Sequence, residues 1–124
     1  MPSPAAYTIY AFGIASFVAG LQTFLSPHSS LQSFELPIAA LPALKGNGLA
    51  ATAMGIYYTL AARQENKSFF LLTIPMRLVA AITFSQFDGT WKLAAFWEGG
   101  GALLTAVALG WDSDWRTGSR NRRE

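Results

Sequence analysis

The stretch that decides the fold lies in the second half of the chain. Residues 69–87 read FFLLTIPMRLVAAITFSQF, and residues 91–111 read WKLAAFWEGGGALLTAVALGW. Each block is close to the length of about 20 mostly apolar residues that a helix needs to cross a bilayer. Asp88, Gly89 and Thr90, between the two blocks, are typical of a tight turn. The two blocks therefore predict an antiparallel pair of membrane-spanning helices.

Two further apolar blocks precede this pair, at residues 7–25 and 47–62. The chain has 124 residues, of which 52% are hydrophobic and 13% charged, whereas about 25% are charged in an ordinary soluble domain. Residues 29–34, between the first two blocks, fit a short amphipathic helix at the membrane surface. We therefore predict an all-α protein, a four-transmembrane-helix bundle over residues 1–112 with a short interfacial segment between spans one and two.

Residues 113–124 are polar and basic, and they predict a tail without regular structure. With four spans, the tail lies on the same side as the N-terminus and the loop after span two. The basic residues on that side are Arg63, Lys67, Arg116, Arg120, Arg122 and Arg123, against Lys45 and Lys92 on the other. This excess predicts that both termini face the cytoplasm, at the endoplasmic reticulum if the source is eukaryotic. The tail favours contact with anionic membrane lipids, and it lacks the folded basic face that would indicate nucleic-acid binding.

Two charged residues interrupt the apolar blocks of the hairpin. Arg77 precedes Asp88 by 11 residues, and Glu98 follows it by 10. At a rise of about 1.5 Å per residue both lie roughly 15 Å from the turn, so they are predicted to lie at matching depth and to pair. A charge at bilayer depth costs at least about 2.5 kcal/mol, and such a residue needs a partner. The pair would either fix the register of the two helices or form the core of a polar pocket.

The polar-pocket alternative predicts an acid–base site. Glu98 would be the general acid or base, Arg77 would orient or polarise the ligand, and Asp88, three helical turns from Arg77, would assist from the same face. The side chains predicted to bind a lipophilic small molecule are Asn47, Tyr58, Phe84, Trp91 and Trp97. A single histidine and no cysteine leave no metal-ligand set, and no phosphate loop is present. We therefore predict neither a metal nor a cofactor.

Small residues recur at a spacing of four in the apolar blocks. Ser16 and Gly20 form one such pair in span one, and Ala51 and Gly55 form another in span two. Pairs of this kind let helix backbones approach closely within a membrane. The run of glycines at 99–101 in span four predicts either a close helix crossing or a groove left open for a ligand.

Several short motifs carry a resemblance to a known group of proteins. They are Phe24-Leu25-Ser26-Pro27, Phe34-Glu35-Leu36-Pro37, Lys45-Gly46, Ala53-Met54-Gly55-Ile56-Tyr57-Tyr58, Pro75-Met76-Arg77-Leu78, and Phe96-Trp97-Glu98-Gly99-Gly100. Over about residues 10 to 110 the chain resembles a family of small four-span membrane proteins of fungi and bacteria. Some fungal proteins of this size belong to polyketide or terpenoid pathways as hydrolases, epoxide-opening cyclases or isomerases. The family often has an Arg-Asp pair where this chain has Ala50 and Ala51, which removes two polar groups from the implied site.

Three kinds of function are consistent with these features. The first is a membrane-embedded cyclase, isomerase or epoxide hydrolase acting on a lipophilic secondary metabolite, as the resemblance implies. The second is a non-catalytic membrane subunit that holds partner biosynthetic enzymes together, or that forms homo-oligomers. The third is a small transporter, which is disfavoured because four-span multidrug exporters carry an essential glutamate in span one and this span has none.

Overall fold

The computed structural model describes residues 1–121, with side chains described through residue 114. Its helices are α1 (Pro4–Leu25), α2 (Pro27–Ser33), α3 (Leu41–Arg63), α4 (Lys67–Ser85) and α5 (Thr90–Asn121), with a 3-10 turn at Ile38–Ala40 before α3. No strand occurs within residues 1–121. The predicted all-α class is therefore confirmed, and so is the short helix between spans one and two.

Three of the helices are long and apolar enough to cross a membrane, which is consistent with a membrane protein. They are Pro4–Leu25, Lys67–Ser85 and, within α5, Thr90–Asp114. The helix α3 has 23 residues, but it is less apolar than these three because Lys45, Gly46, Asn47 and Gly48 lie in its first half. The structure thus gives three candidate spans where the sequence predicted four.

Prolines and capping side chains set several helix boundaries. Ser3 caps α1 by accepting a hydrogen bond from Ala6 N at 3.1 Å, and Pro27 ends this helix by displacing the residue before it from helical geometry. The sequence predicted that the second apolar block begins at about residue 47, yet α3 begins at Leu41 and holds Pro42 in its first turn. In the first turn a proline costs nothing, because its missing N–H would have had no partner within the helix.

The C-terminal helix is longer than the sequence predicted. The helix α5 continues to Asn121, so residues 113–121 are helical where composition had predicted no regular structure. The remainder of the predicted tail, residues 122–124, lies outside the described residues.

The helices α1 and α3 cross with their backbones in direct contact. A Cβ added to Gly20 would lie 2.7 Å from Gly48 O, and one added to Gly55 would lie 2.6 Å from Gly13 O. Between these two contacts, Ser16 Oγ donates a hydrogen bond to Ala51 O at 2.9 Å. Only residues without a side chain fit at the four glycines, so the predicted role of small residues in close packing is confirmed for this helix pair.

The bundle is closed at the end that holds the N-terminus. Its core there joins α1, α3 and α4 and consists of Ala5, Ala6, Ile9, Phe12, Tyr58, Ala62 and Phe70, with Ala108 and Leu109 of α5 packed against it. At the same end, Glu65 in the α3–α4 turn accepts hydrogen bonds from both Ser3 N and Ser3 Oγ at 2.7 Å. The N-terminus and the loop after α3 therefore lie on one side of the bundle, as predicted.

Candidate functional site

Arg77 and Glu98 form an ion pair between α4 and α5. Arg77 Nε donates to Glu98 Oε2 at 3.2 Å, and the two side chains are 4% and 17% exposed. The turn that joins the two helices holds Gly89 at φ +66°, a left-handed conformation that glycine adopts without strain. The predicted pairing of these residues at matching depth is confirmed.

The Arg77 guanidinium is enclosed on several sides. Its carbon lies 3.7 Å from the centre of the Phe12 ring, in a cation–π arrangement. Arg77 Nη2 points to Trp97 O at 3.5 Å, which is a long hydrogen bond. At Gly101 a Cβ would overlap the guanidinium. The third glycine of the triplet thus makes room for a charged side chain, whereas a Cβ at Gly99 would lie at an ordinary contact distance of 3.5 Å from Ala81 Cβ.

A cleft opens beside the ion pair, away from the closed end of the bundle. It has a volume of about 590 Å³ and lies between the α1–α3 pair and α5, a size within the usual range of about 300–1,000 Å³ for ligand sites. Of the side chains predicted to bind substrate, Asn47, Phe84, Trp91 and Trp97 line this cleft together with Glu98. We call this the Glu98 cleft.

The outer end of the Glu98 cleft is covered by the segment that follows α2. The Phe34 ring lies 4.8 Å from the Trp91 ring, and Phe84 lies 5.3 Å from Trp91 on the other side. Thr90 Oγ1 also donates a hydrogen bond to Ser33 O at 2.7 Å, which ties α5 to the end of α2. Trp91 therefore joins three separate segments at the outer end of the cleft.

The structure corrects the prediction for Tyr58. This residue is 8% exposed and belongs to the core at the closed end, with its ring 5.1 Å from Phe12 and 5.0 Å from Phe69. It shares a face of α3 with Met54, which lines the cleft, but it lies one helical turn further toward the closed end. Tyr58 therefore packs against the Phe12 ring at the closed end and does not line the cleft.

The structure also corrects the prediction for Asp88. Its side chain is 95% exposed in the α4–α5 turn and pairs with Lys92 at 2.9 Å, so it reaches neither Arg77 nor the cleft. The hydrogen bond and the positive charge of Lys92 hold the pKa of the Asp88 carboxyl below its usual value. Asp88 belongs to a surface ion pair at the turn.

The site contains residues that sequence reasoning did not single out. Phe12 lies against the guanidinium and also lines the cleft, and Gly101 leaves the space that Arg77 fills. An apolar aromatic in an apolar span carries no distinguishing signal. The glycine triplet predicted a close crossing or an open groove, and neither alternative places Arg77 beside Gly101.

The arrangement presents a carboxylate to an apolar space while its counter-ion stays behind it. Glu98 Oε2 accepts from Arg77, whereas Glu98 Oε1 has no hydrogen-bond partner among the described residues. Asn47 reaches the same cleft from α3. These groups can donate or accept a proton at one point of a bound molecule and contact the rest of it through aromatic rings. Among the described residues, no group of three or more histidine, cysteine or acidic side chains could hold a metal ion.

Comparison of the chain with models of protein families, with curated proteins and with solved structures finds no match. The function of the chain is therefore inferred from the geometry of the Glu98 cleft and from the sequence pattern.

Proposed function

We propose that this chain is a four-span membrane enzyme that performs acid–base chemistry on a lipophilic metabolite held in the Glu98 cleft. The reaction class is that of a cyclase, isomerase or epoxide hydrolase without a cofactor. The observation that carries the proposal is the position of Glu98, which lines an apolar cleft of about 590 Å³ and has one carboxylate oxygen unpaired among the described residues. A structural ion pair alone does not require a cavity on its carboxylate side.

The fourth span in this proposal is α3. Its 23 residues exceed the roughly 20 that cross a bilayer, and it packs along α1 through glycine contacts over two helical turns. Its charged residues, Lys45 and Arg63, lie near its two ends, where long basic side chains can reach the membrane surface. The lower hydropathy of α3 is consistent with a helix whose polar Asn47 faces the cleft.

In the proposed reaction, Glu98 transfers a proton to or from an oxygen or carbon of the bound metabolite. Arg77 holds the carboxylate in position through Nε and keeps the local charge balanced, so that the pair is tolerated at bilayer depth. Phe84, Trp91 and Trp97 contact the apolar body of the molecule, and Asn47 offers it a hydrogen bond. The carboxylate is the acid or base, and the aromatic wall sets the orientation of the substrate.

The test compares pathway products in a host that expresses the candidate pathway with and without the chain. A Glu98→Gln variant keeps the size of the side chain and removes its proton-transfer chemistry. We expect product formation to fall by about 10²–10⁴-fold, the usual contribution of a general acid or base. Membrane expression of the variant is measured in parallel.

The matched control is Glu35→Gln, which makes the same chemical change at an exposed position after α2 and should leave product formation unchanged. If Glu98→Gln supports full product formation while omission of the chain abolishes it, the enzyme proposal is wrong. That result would instead support the role of a scaffold for partner biosynthetic enzymes.

A further inference from the structure

A second cavity lies on the other side of the ion pair. It has a volume of about 570 Å³ and lies between α1 and α5. Its wall includes Tyr7, Phe12, Arg77, Phe96, Gly100 and Leu104, and we call it the α1–α5 cavity. The rings of Phe12 and Trp97 stack at 5.9 Å and contribute to the walls of both cavities. Glu98 thus lines one cavity and Arg77 lines the other.

The Arg77 guanidinium, which lines the α1–α5 cavity, has N–H donors without a partner among the described residues. An arginine carries five N–H donors, and the described partners of Arg77 use only Nε and Nη2. Nη1 has no hydrogen-bond partner among the described residues. It is also not sealed inside the protein, because within the described residues Asp112 Oδ2 is the one fully buried side-chain polar atom without a partner. Arg77 is 4% exposed and lines the α1–α5 cavity, so its unpaired donor is available to a molecule bound there.

The charge of this site restricts what it can bind. Glu98 already balances the positive charge of Arg77, so a second carboxylate would leave a net negative charge in an apolar surrounding, which is costly. A neutral oxygen acceptor carries no such cost. A carbonyl oxygen is a strong acceptor whose two lone pairs suit a guanidinium donor.

The depth of the site restricts the ligand further. Arg77 lies 11 residues before the turn, which is roughly 15 Å along the helix and near the middle of a hydrocarbon core about 30 Å thick. The ester carbonyls of membrane phospholipids lie near the headgroups, too far from Nη1. The ligand must therefore carry its oxygen within an otherwise apolar molecule.

We propose that the α1–α5 cavity binds a neutral, apolar carbonyl compound whose oxygen accepts a hydrogen bond from Arg77 Nη1. This site is separate from the Glu98 cleft, and the inference does not depend on the proposed enzymatic reaction.

The test uses the full chain in phosphatidylcholine vesicles, with 8-pentadecanone labelled with carbon-13 at its carbonyl as the probe. The difference between infrared spectra recorded with the labelled and with the unlabelled ketone isolates the ketone band from those of the lipid esters and the protein amides. A hydrogen bond from a guanidinium lowers the carbonyl stretching frequency. We expect two bands, one from ketone dissolved in lipid and a lower one from ketone bound to Arg77. Partition into the bilayer alone would give only the first band.

Two variants should remove the lower band. Gly100→Leu is expected to occupy the cavity, because Gly100 lines it and a Cβ there meets nothing within 4 Å. Gly110→Leu is the matched control, since it makes the same change at an exposed glycine of α5 that also has open space, and it should retain the band. Arg77→Met combined with Glu98→Gln removes the donor from the α1–α5 cavity without leaving an unpaired charge, and it should also lose the band.

A single labelled-ketone band for the unmodified chain would overturn the inference, as would a lower band that persists in Gly100→Leu or in the double variant. These outcomes are independent of the product assay. Gly100 does not line the Glu98 cleft. If the lower ketone band is observed while Glu98→Gln supports full product formation, this inference stands and the proposed enzyme is rejected.

Discussion

Gly101 is the position at which α5 leaves space for the charged side chain of α4. A Cβ there would overlap the Arg77 guanidinium, whereas a Cβ at neighbouring Gly100 would meet nothing within 4 Å. We therefore expect Gly101→Ala to lower the free energy of unfolding in detergent by about 1–3 kcal/mol, the usual cost of overpacking a filled site. Gly100→Ala is the control and should stay within about 1 kcal/mol of the parent chain. Equal effects of the two changes would contradict this account of the glycine triplet.

The ion pair of Asp88 and Lys92 predicts that the stability of the folded chain depends on pH. Lys92 holds the Asp88 pKa below its usual value, so the pair stabilises the folded chain fully above the unfolded carboxyl pKa of about 3.9. That contribution is lost as the pH falls through the lower folded value. A carbon-13 NMR titration should find a depressed pKa for the Asp88 carboxyl, and Lys92→Met should return it toward the usual value. An unchanged titration in Lys92→Met would show that Lys92 is not the cause.

The same residues show where sequence reasoning about the site worked and where it failed. Arg77 and Glu98 were correctly paired because both lie within regular helices, where a constant rise per residue converts spacing into depth. Asp88 was misplaced because α4 ends at Ser85, so helical periodicity no longer fixes the direction of a side chain three residues later. Tyr58 was misplaced because a shared helix face says nothing about where along that face a cavity ends.

At the scale of elements, the α1–α3 crossing is the closest helix contact described. Gly48 and Gly46 lie two residues apart on α3, and their surroundings differ. A Cβ at Gly48 would lie 2.9 Å from Gly20 O and from Phe24 N, whereas one at Gly46 would meet nothing within 4 Å. We expect Gly48→Val to lower the free energy of unfolding by about 1–3 kcal/mol or more.

Gly46→Val is the matched control for that experiment, because it introduces the same β-branched side chain into the same helix. Its stability should stay close to that of the parent chain. A loss of stability in Gly46→Val as large as that in Gly48→Val would mean that helix propensity, and not the crossing, sets the cost.

The elements themselves were predictable to different extents. The α4–α5 hairpin was predicted closely because two long apolar blocks flank a turn signal. The start of α3 was not, because a proline interrupts the pattern in the sequence but is accommodated in the first helical turn. The end of α5 was missed because a polar composition does not prevent a helix from continuing beyond its apolar part.

At the scale of the whole molecule, the proposed topology can be tested with single cysteines, since the chain has none of its own. Gln64 and Gln86 are exposed at the ends of α3 and α4, on opposite sides of the proposed membrane. In sealed microsomes, whose cytoplasmic side faces outward, a membrane-impermeant maleimide should label Gln64→Cys and should label Gln86→Cys only after permeabilisation. The sequon Asn66-Lys67-Ser68 should remain without a glycan in a eukaryotic host. Labelling of both cysteines from the same side would show that α4 does not cross the membrane.

The core at the N-terminal end of the bundle has a consequence for how a ligand enters. Its buried residues, among them Ile9 and Phe70 at 0% exposure, hold α1, α3 and α4 together, while the Glu98 cleft separates the α1–α3 pair from α5 further along. Such an assembly is packed at one end, whereas the other end is closed by the Phe34–Trp91 ring contact and the Thr90–Ser33 hydrogen bond. We therefore expect a movement that admits a bulky molecule to be concentrated at Trp91 and the α2 segment, while the ion pair nearer the packed end keeps its geometry.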